Sequence, residues 1–122
     1  IITLKFANGA IGTIDNSRKA VYGYDQRAEV FGSGGMAATT NNTANTSVYS
    51  NAEGVTSEKP LYFFLERYMD SFIAEMRDFI AAIRDGVPTP VTILDGRKPV
   101  VIAMAAKKSL DEHRPVKLSE VE

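Results

Sequence analysis

The feature that most constrains the fold is an unbroken amphipathic pattern over residues 61–86. Apolar side chains recur there every three or four residues: Leu65, Tyr68, Met69, Phe72, Ile73, Met76, Phe79, Ile80 and Ile83. This spacing places them on one side of an α-helix. Gly86 and Pro88 predict the end of the helix, because glycine suits its C-terminal position and proline cannot continue it. We expect so wide an apolar stripe to lie in the core of the protein.

A second helix is predicted after an extended, proline-containing link over residues 87–91. Thr92 or Asp95 can cap its start, since both side chains accept hydrogen bonds from free backbone N–H groups. The segment Val100–Ala106 is apolar on all sides, so we expect this helix to be well buried.

The rest of the chain has the alternation and turn residues of β-strands. We predict strands over 1–6 and 11–18, a strand entering the turn Gly32–Gly35, further strands over 36–40 and 46–50, a surface loop over 51–60 and a final strand over 114–118. These elements predict an α+β fold, namely an open, mostly antiparallel β-sheet with two main helices packed on one face. We expect one domain and no internal repeat.

Composition excludes several classes of function. The net charge of −1 over 122 residues gives no electrostatic basis for binding nucleic acid or an anionic membrane. No apolar run approaches the roughly 20 residues that span a bilayer. The count of zero cysteines excludes disulfides and thiolate metal sites, and it suits the reducing cytoplasm, where we expect the protein. The chain begins with Ile1, already in a strand, so we expect it to be a piece of a longer protein.

Complete catalytic machinery is not apparent. The one histidine, His113, lies among charged residues at a predicted helix end, where a cation is favoured. A metal site or a Ser-His-Asp triad needs several groups converging on one point. We therefore predict no catalytic, metal-binding or cofactor-binding residue in this chain. The run Gly32–Gly35 lacks the spacing of a dinucleotide-binding loop and is interpreted as a hairpin turn.

The stretch Tyr22-Gly-Tyr-Asp-Gln-Arg27 is different, because it places aromatic, acidic, amide and basic side chains close together. A polyol site needs an aromatic plane against the C–H faces of the ring, and fixed donors and acceptors for the hydroxyls. If the stretch is extended, Tyr22, Tyr24 and Gln26 share one face. The alternative interpretation is a pair of tyrosines on a sheet surface with cross-strand charge pairs.

The runs Ile11–Arg18 and Tyr22–Gly35 resemble the C-terminal half of inositol 2-dehydrogenases. These enzymes are members of the glucose–fructose oxidoreductase-like (Gfo/Idh/MocA) family of sugar and polyol dehydrogenases. The segments Tyr68–Phe79, Pro90–Gly96 and Ala105–Ser109 resemble the two helices of that family. The resemblance covers nearly the whole chain, and the Tyr-Gly-Tyr-Asp segment is its most specific part.

The resemblance implies that residues 1–122 form the C-terminal substrate-binding and oligomerisation domain of a two-domain dehydrogenase whose N-terminal Rossmann domain is absent here. In the family that domain binds NAD, and the catalytic Lys belongs to a Glu-Lys-Pro motif, working with an Asp and a His. Ser57–Pro60 mimics the motif but falls in a loop before the long helix, so we interpret the match as coincidence. This chain alone is expected to be inactive.

Carried over residue by residue, the implied substrate contacts are Tyr24 and Tyr22, followed by Asp25 and Arg18. The implied substrate is a polyol or sugar, with inositol first. The implied assembly is a homo-oligomer, a dimer or tetramer, formed through the sheet. A purely structural oligomerisation domain of a related oxidoreductase acting on another sugar is the alternative, and a stand-alone sugar-binding protein is a third possibility.

Overall fold

The structure, a computed structural model, describes all residues from 1 to 122. Six strands precede two helices and a short 3₁₀ turn: β1 (Ile2–Lys5), β2 (Ile11–Ile14), β3 (Ala28–Gly32), β4 (Gly35–Thr39), β5 (Val48–Asn51), β6 (Gly54–Ser57), α1 (Phe64–Asp85), α2 (Ile93–Glu112) and the 3₁₀ turn Leu118–Glu120. All strand pairs are antiparallel. The predicted α+β class is confirmed, and the strands pair as three two-stranded sheets, β1–β2, β3–β4 and β5–β6.

The chain divides into two compact units, which we describe separately. One unit comprises residues 17–76, and the other comprises residues 1–16 together with 77–122. The first therefore holds β3 to β6 and the start of α1, and the second holds β1, β2, the end of α1 and α2. Neither helix is apolar over enough of its length to cross a bilayer.

Helix α1 lies within its predicted span of 61–86, and local hydrogen bonds fix both of its ends. The Glu66 carboxylate accepts hydrogen bonds from the backbone N–H groups of Tyr62 and Phe63, which stabilises the first turn. Gly86 adopts a left-handed φ of 62°, and the next N–H, that of Val87, donates to the Ala82 carbonyl at 3.1 Å. This is the glycine-terminated helix end that the sequence predicts.

Helix α2 begins where predicted, and its first turn is fixed by Asp95. The Asp95 carboxylate accepts hydrogen bonds from the Thr92 N–H at 3.1 Å and the Thr92 hydroxyl at 2.9 Å. His113 ends the helix with a left-handed φ of 53° and is exposed.

Three predicted boundaries were wrong. The second strand ends at Ile14, not at residue 18, and the expected loop over 51–60 contains β6. The Asn51 side chain accepts hydrogen bonds from the N–H groups of Glu53 and Gly54, and this turn pairs β6 with β5. The expected final strand over 114–118 is irregular backbone that leads into the 3₁₀ turn Leu118–Glu120, and Arg114 forms ion pairs with both Glu112 and Glu120.

The expected core is largely absent from this chain. Only Gly23, Ala82, Val101 and Ala105 are buried. Apart from Tyr68, which is partly buried, the large side chains of the α1 stripe are exposed, and α2, expected to be well buried, leaves Val100 and Met104 about half exposed. An apolar stripe is buried only where another layer covers it, and a two-stranded hairpin is too narrow to cover a helix of 22 residues.

Hairpin β3–β4 has apolar side chains on both faces. In its register Val30 lies opposite Ala37, and Phe31 lies opposite Met36, so the two pairs point to opposite sides. Val30 is 71% exposed and Phe31 is 82% exposed. Such a hairpin has apolar surface for two neighbours, one on each face.

Candidate functional site

The Tyr22–Arg27 stretch is not extended, so the sharing of one face that an extended stretch would give does not apply. Gly23 has a φ of 143°, and the Asp25 N–H donates back to the Gly23 carbonyl at 3.1 Å. The resulting turn brings the Tyr22 hydroxyl to the Asp25 carboxylate, whereas an extended strand would send these two side chains to opposite faces. Glycine permits this turn because it adopts a positive φ without a steric penalty.

The segment before α1 supports this turn through the backbone. The Tyr24 N–H donates to the Leu61 carbonyl at 2.8 Å, and the Leu61 N–H donates to the Asn42 carbonyl at 3.0 Å. Thr43 and Pro60 form a β-bridge beside them. In this structure Pro60, the end of the Ser57–Pro60 run, therefore supports the turn.

We expect Gly23→Ala to destabilise the protein by about 1–3 kcal/mol, as strained backbone positions do. A Cβ at Gly23 would lie 2.6 Å from the Pro60 carbonyl oxygen, and the φ of Gly23 is one that L side chains rarely adopt. Gly96→Ala is the matched control: it lies in α2 with open space around its added Cβ, and should stabilise the helix by about 0.5–1 kcal/mol. Denaturant unfolding of the full-length protein measures both, and equal stabilities for the two variants would contradict the close contact.

Asp25 is the centre of the polar cluster. Its Oδ1 accepts from Arg27 Nε at 2.8 Å and from Asn41 Nδ2 at 2.6 Å. Its Oδ2 accepts from the Tyr22 hydroxyl at 2.5 Å and from Arg27 Nη2 at 2.9 Å. The Arg27 guanidinium, followed by Asn41 and Tyr22, holds the pKa of Asp25 well below its usual range. The same carboxylate raises the pKa of Tyr22, since it accepts a hydrogen bond from the protonated phenol.

Asn41 and Arg67 join this cluster to α1. The Asn41 Oδ1 accepts from the Gln26 N–H at 2.8 Å and from Arg67 Nη1 at 3.3 Å. Arg67 Nη2 also donates to the Gln26 carbonyl at 2.8 Å. Three segments distant in sequence are thereby fixed at one place.

Two tyrosines form an aromatic wall beside the cluster. Tyr24 and Tyr68 meet edge to face with ring centroids 5.6 Å apart, and Phe72 continues the contact from Tyr68 at 6.3 Å. The Tyr68 hydroxyl donates to Gln26 Oε1. Burial, followed by the neighbouring Tyr24 hydroxyl, raises the pKa of Tyr68.

The structure brings together Tyr22, Tyr24 and Asp25, three of the four residues predicted to contact substrate. The fourth, Arg18, makes none of the hydrogen bonds or ion pairs of this cluster. Five members were not among the predicted contacts: Gln26, Arg27, Asn41, Arg67 and Tyr68. The apolar spacing of α1 assigned Tyr68 to a core stripe, and no local signal marks Asn41.

This arrangement is suited to binding hydroxyl groups. It offers the phenols of Tyr22, Tyr24 and Tyr68 and the amide NH₂ of Gln26, which makes no hydrogen bond within the chain. Asp25 has a lowered pKa and four hydrogen bonds, so it is a poor proton acceptor. The cluster can orient a polar ligand, and it lacks the paired acid and base of a catalytic site.

A family model described as the C-terminal alpha/beta domain of an oxidoreductase family matches residues 1–118. Myo-inositol 2-dehydrogenase of Thermotoga maritima is 49% identical over 121 residues, which cover 99% of this chain and 36% of the relative. Inositol 2-dehydrogenase of Rhizobium meliloti is 37% identical over 119 residues, covering 97% of this chain and 36% of that protein. The chain thus spans about a third of the length of these curated relatives.

A solved structure shows the same fold. The crystal structure of a "probable dehydrogenase" from Thermotoga maritima superposes with a TM-score of 0.94 at 49% identity, covering 98% of this chain and 36% of the other. The predicted family resemblance is therefore confirmed.

Proposed function

Because the chain belongs to this oxidoreductase family, whose C-terminal alpha/beta domain it matches, we propose that it is the substrate-side part of an NAD(P)-dependent dehydrogenase that oxidises myo-inositol. The observation that carries the proposal is the Tyr24–Tyr68 wall with the Gln26 amide beside it. Identity of 49% to a myo-inositol 2-dehydrogenase supports the choice of substrate.

The part of this chain in the reaction is binding and orientation. The tyrosine faces cover the C–H surface of the polyol ring, and the phenols and the Gln26 amide hold its hydroxyls. A ring held in one orientation presents one carbon for oxidation to the ketone, which lowers the entropic part of the barrier. The proton acceptor for the oxidised hydroxyl belongs to the rest of the protein.

The nicotinamide cofactor does not fit the residues of this chain. Gly32–Gly35, the only glycine-rich run, forms the tight turn between β3 and β4, where Gly32 pairs with Gly35. A dinucleotide cradle needs a glycine turn that leads from a strand into a helix N-terminus. We propose that NAD(P) binds to a Rossmann domain elsewhere in the same polypeptide, and that the enzyme works in the cytoplasm.

The proposal is tested by assaying the full-length protein with NAD and with NADP on a panel of polyols and sugars. We expect reduction of the cofactor with myo-inositol and weaker reduction with acyclic polyols, which have no rigid ring to place against the tyrosine faces. Absence of turnover with every cyclic polyol would show that the substrate class is wrong.

A second candidate function, assembly of a homo-oligomer, is favoured by hairpin β3–β4. Val30 and Phe31 are both exposed and point to opposite faces, so the hairpin has apolar surface for a neighbour beyond its own chain. Large exposed apolar surface is characteristic of subunit interfaces. In this proposal the hairpin faces mediate a dimer or tetramer, while the tyrosine wall binds substrate.

We expect Phe31→Lys to shift the full-length protein toward smaller species, because a desolvated ammonium without a partner opposes association. Ser33→Lys adds the same charge in the adjacent turn and is expected to leave the assembly unchanged. Sedimentation velocity measures both. An unaltered oligomer in Phe31→Lys would exclude this face from the interface.

A further inference from the structure

Asp25 does not have the hydrogen-bonding capacity that a substrate contact requires. A carboxylate offers about four lone-pair sites, and here four hydrogen bonds reach it from Tyr22, Arg27 and Asn41. Its side chain is only 14% exposed, against 65% for Arg27. A polyol hydroxyl could bind Asp25 only by displacing one of these donors.

Asn41 is the residue that uses both ends of its side chain in the cluster. Its Nδ2 donates to Asp25 at 2.6 Å, while its Oδ1 accepts from the Gln26 N–H and from Arg67. The side chain is therefore oriented by donors on one end and an acceptor on the other. An amide has one acceptor end and one donor end, so neither a carboxylate nor an apolar side chain can replace it.

We propose that Asn41, through Asp25, Gln26 and Arg67, is the positioning residue that sets the turn bearing Tyr22 and Tyr24 against helix α1, which bears Tyr68, and that Asp25 positions this turn rather than binding substrate. The Asp25 carboxylate fixes the Tyr22 hydroxyl, and the Gln26 side chain accepts from Tyr68 on α1. Asn41 bonds to Asp25 and Gln26 in the first tyrosine-bearing segment and to Arg67 beside Tyr68 in α1, so it sets the spacing between the two segments. This inference rests on the proposed function for its kinetic consequence only.

The decisive variant is Asn41→Asp, which keeps the shape and replaces the donor that faces Asp25 by an oxygen. Two carboxylates at that distance cannot both be ionised at low cost, so the pKa of one rises. Arg67 and Arg27 also face the pair and limit the rise, and the Tyr22 hydroxyl donates to Asp25. When one proton is bound between the two carboxylates, a hydrogen bond between positions 41 and 25 can form again. The hydrogen bond lost in Asn41→Asp is therefore restored as the pH falls.

We therefore expect Asn41→Asp to lower kcat/KM for myo-inositol about tenfold at pH 8 and to regain much of it toward pH 5, since small misplacements of binding groups cost this much or more. Asn42→Asp is the matched control, because its side chain makes no hydrogen bond in the cluster. It should follow the wild-type pH profile. An Asn41→Asp profile parallel to wild type, whether lowered or not, would overturn the inference.

Unfolding measured over the same pH range separates this inference from the proposed function. A carboxyl whose pKa is higher in the folded state than in the unfolded state stabilises the folded protein fully at pH values below its unfolded pKa. This contribution to the free energy of unfolding is lost as the pH rises through the folded pKa. Asn41→Asp should therefore become more stable relative to Asn42→Asp as the pH falls from 8 to 5. If wild type does not oxidise myo-inositol, the proposed function fails, and this stability difference alone supports the pairing by its presence or overturns it by its absence.

An exchange of the side chains at positions 25 and 41 provides a second test of the pairing if Asn41→Asp does not fold. In the double variant Asp25→Asn with Asn41→Asp, an amide again donates to a carboxylate, and Arg67 and the Gln26 N–H donate to that carboxylate. The exchange removes the repulsion between two carboxylates and leaves Arg27 with one acceptor at position 25 instead of two. We expect the double variant to be more stable at pH 8 than Asn41→Asp and less sensitive to pH. A double variant no better than the single one would show that the two residues do not act as a pair.

Discussion

Replacing Tyr24 by alanine is expected to lower kcat/KM for myo-inositol by about a hundredfold, and replacing it by phenylalanine by about three- to tenfold. The alanine variant loses the aromatic plane and the edge-to-face contact with Tyr68, so the polyol is neither covered nor oriented. The phenylalanine variant keeps the plane and loses one hydrogen bond, for which a net contribution of about 0.5–1.5 kcal/mol is typical.

Steady-state kinetics of the full-length protein measures this series. Tyr49→Phe and Tyr49→Ala are the controls, since Tyr49 lies in β5, outside the cluster. If the hydroxyl binds substrate in the ground state as well as in the transition state, KM rises more than kcat falls in Tyr24→Phe. Kinetics of Tyr24→Phe identical to wild type would remove Tyr24 from the substrate contacts.

Purified without any covering partner, the 122-residue chain is expected to unfold gradually on heating rather than in one sharp transition. Only four residues are buried, and Val101 is the one among them with a side chain larger than that of alanine, so little transfer free energy is gained. Each two-stranded hairpin is marginal by itself in water. Burial of the α1 stripe, which supplies about 1.5–3 kcal/mol per large side chain, needs a neighbour that this chain does not contain.

Near-UV circular dichroism during a thermal scan measures how sharply the isolated chain unfolds, with the full-length protein as the control. The control should show fixed aromatic signals and a cooperative transition, and the isolated chain should show neither. A sharp transition in a monomeric isolated chain would contradict the account of its exposed surface. Concentration-dependent sharpening would instead show that a second copy covers the stripe.

Helix α1 could be predicted from sequence to within about three residues at its start and one at its end. Its apolar spacing is periodic over the whole length, and the glycine and the proline beyond it stop the helix for local steric reasons. The same spacing did not predict burial, because periodicity indicates which side is apolar and says nothing of what covers it. The exposed stripe shows the limit of that signal.

The candidate site likewise has a part that could be predicted from the sequence and a part that could not. Tyr22, Tyr24 and Asp25 are neighbours in sequence, so their chemistry could be recognised together. Asn41 bonds to Asp25 across 16 residues, and Tyr68 bonds to Gln26 across 42. Such contacts depend on how the segments are brought together, which no local pattern encodes. The turn at Gly23 determines the contact within the Tyr22–Asp25 segment, since its left-handed φ folds Tyr22 back onto Asp25.

The central claim is that the Tyr24–Tyr68 wall binds a polyol in a dehydrogenase. A crystal structure of the full-length protein with myo-inositol bound tests it most directly. The account predicts a ring hydroxyl within about 3.2 Å of the Tyr24 phenol, the Tyr68 phenol or the Gln26 amide. Myo-inositol bound elsewhere, with these side chains packed against another subunit, would contradict it and assign the wall to assembly instead.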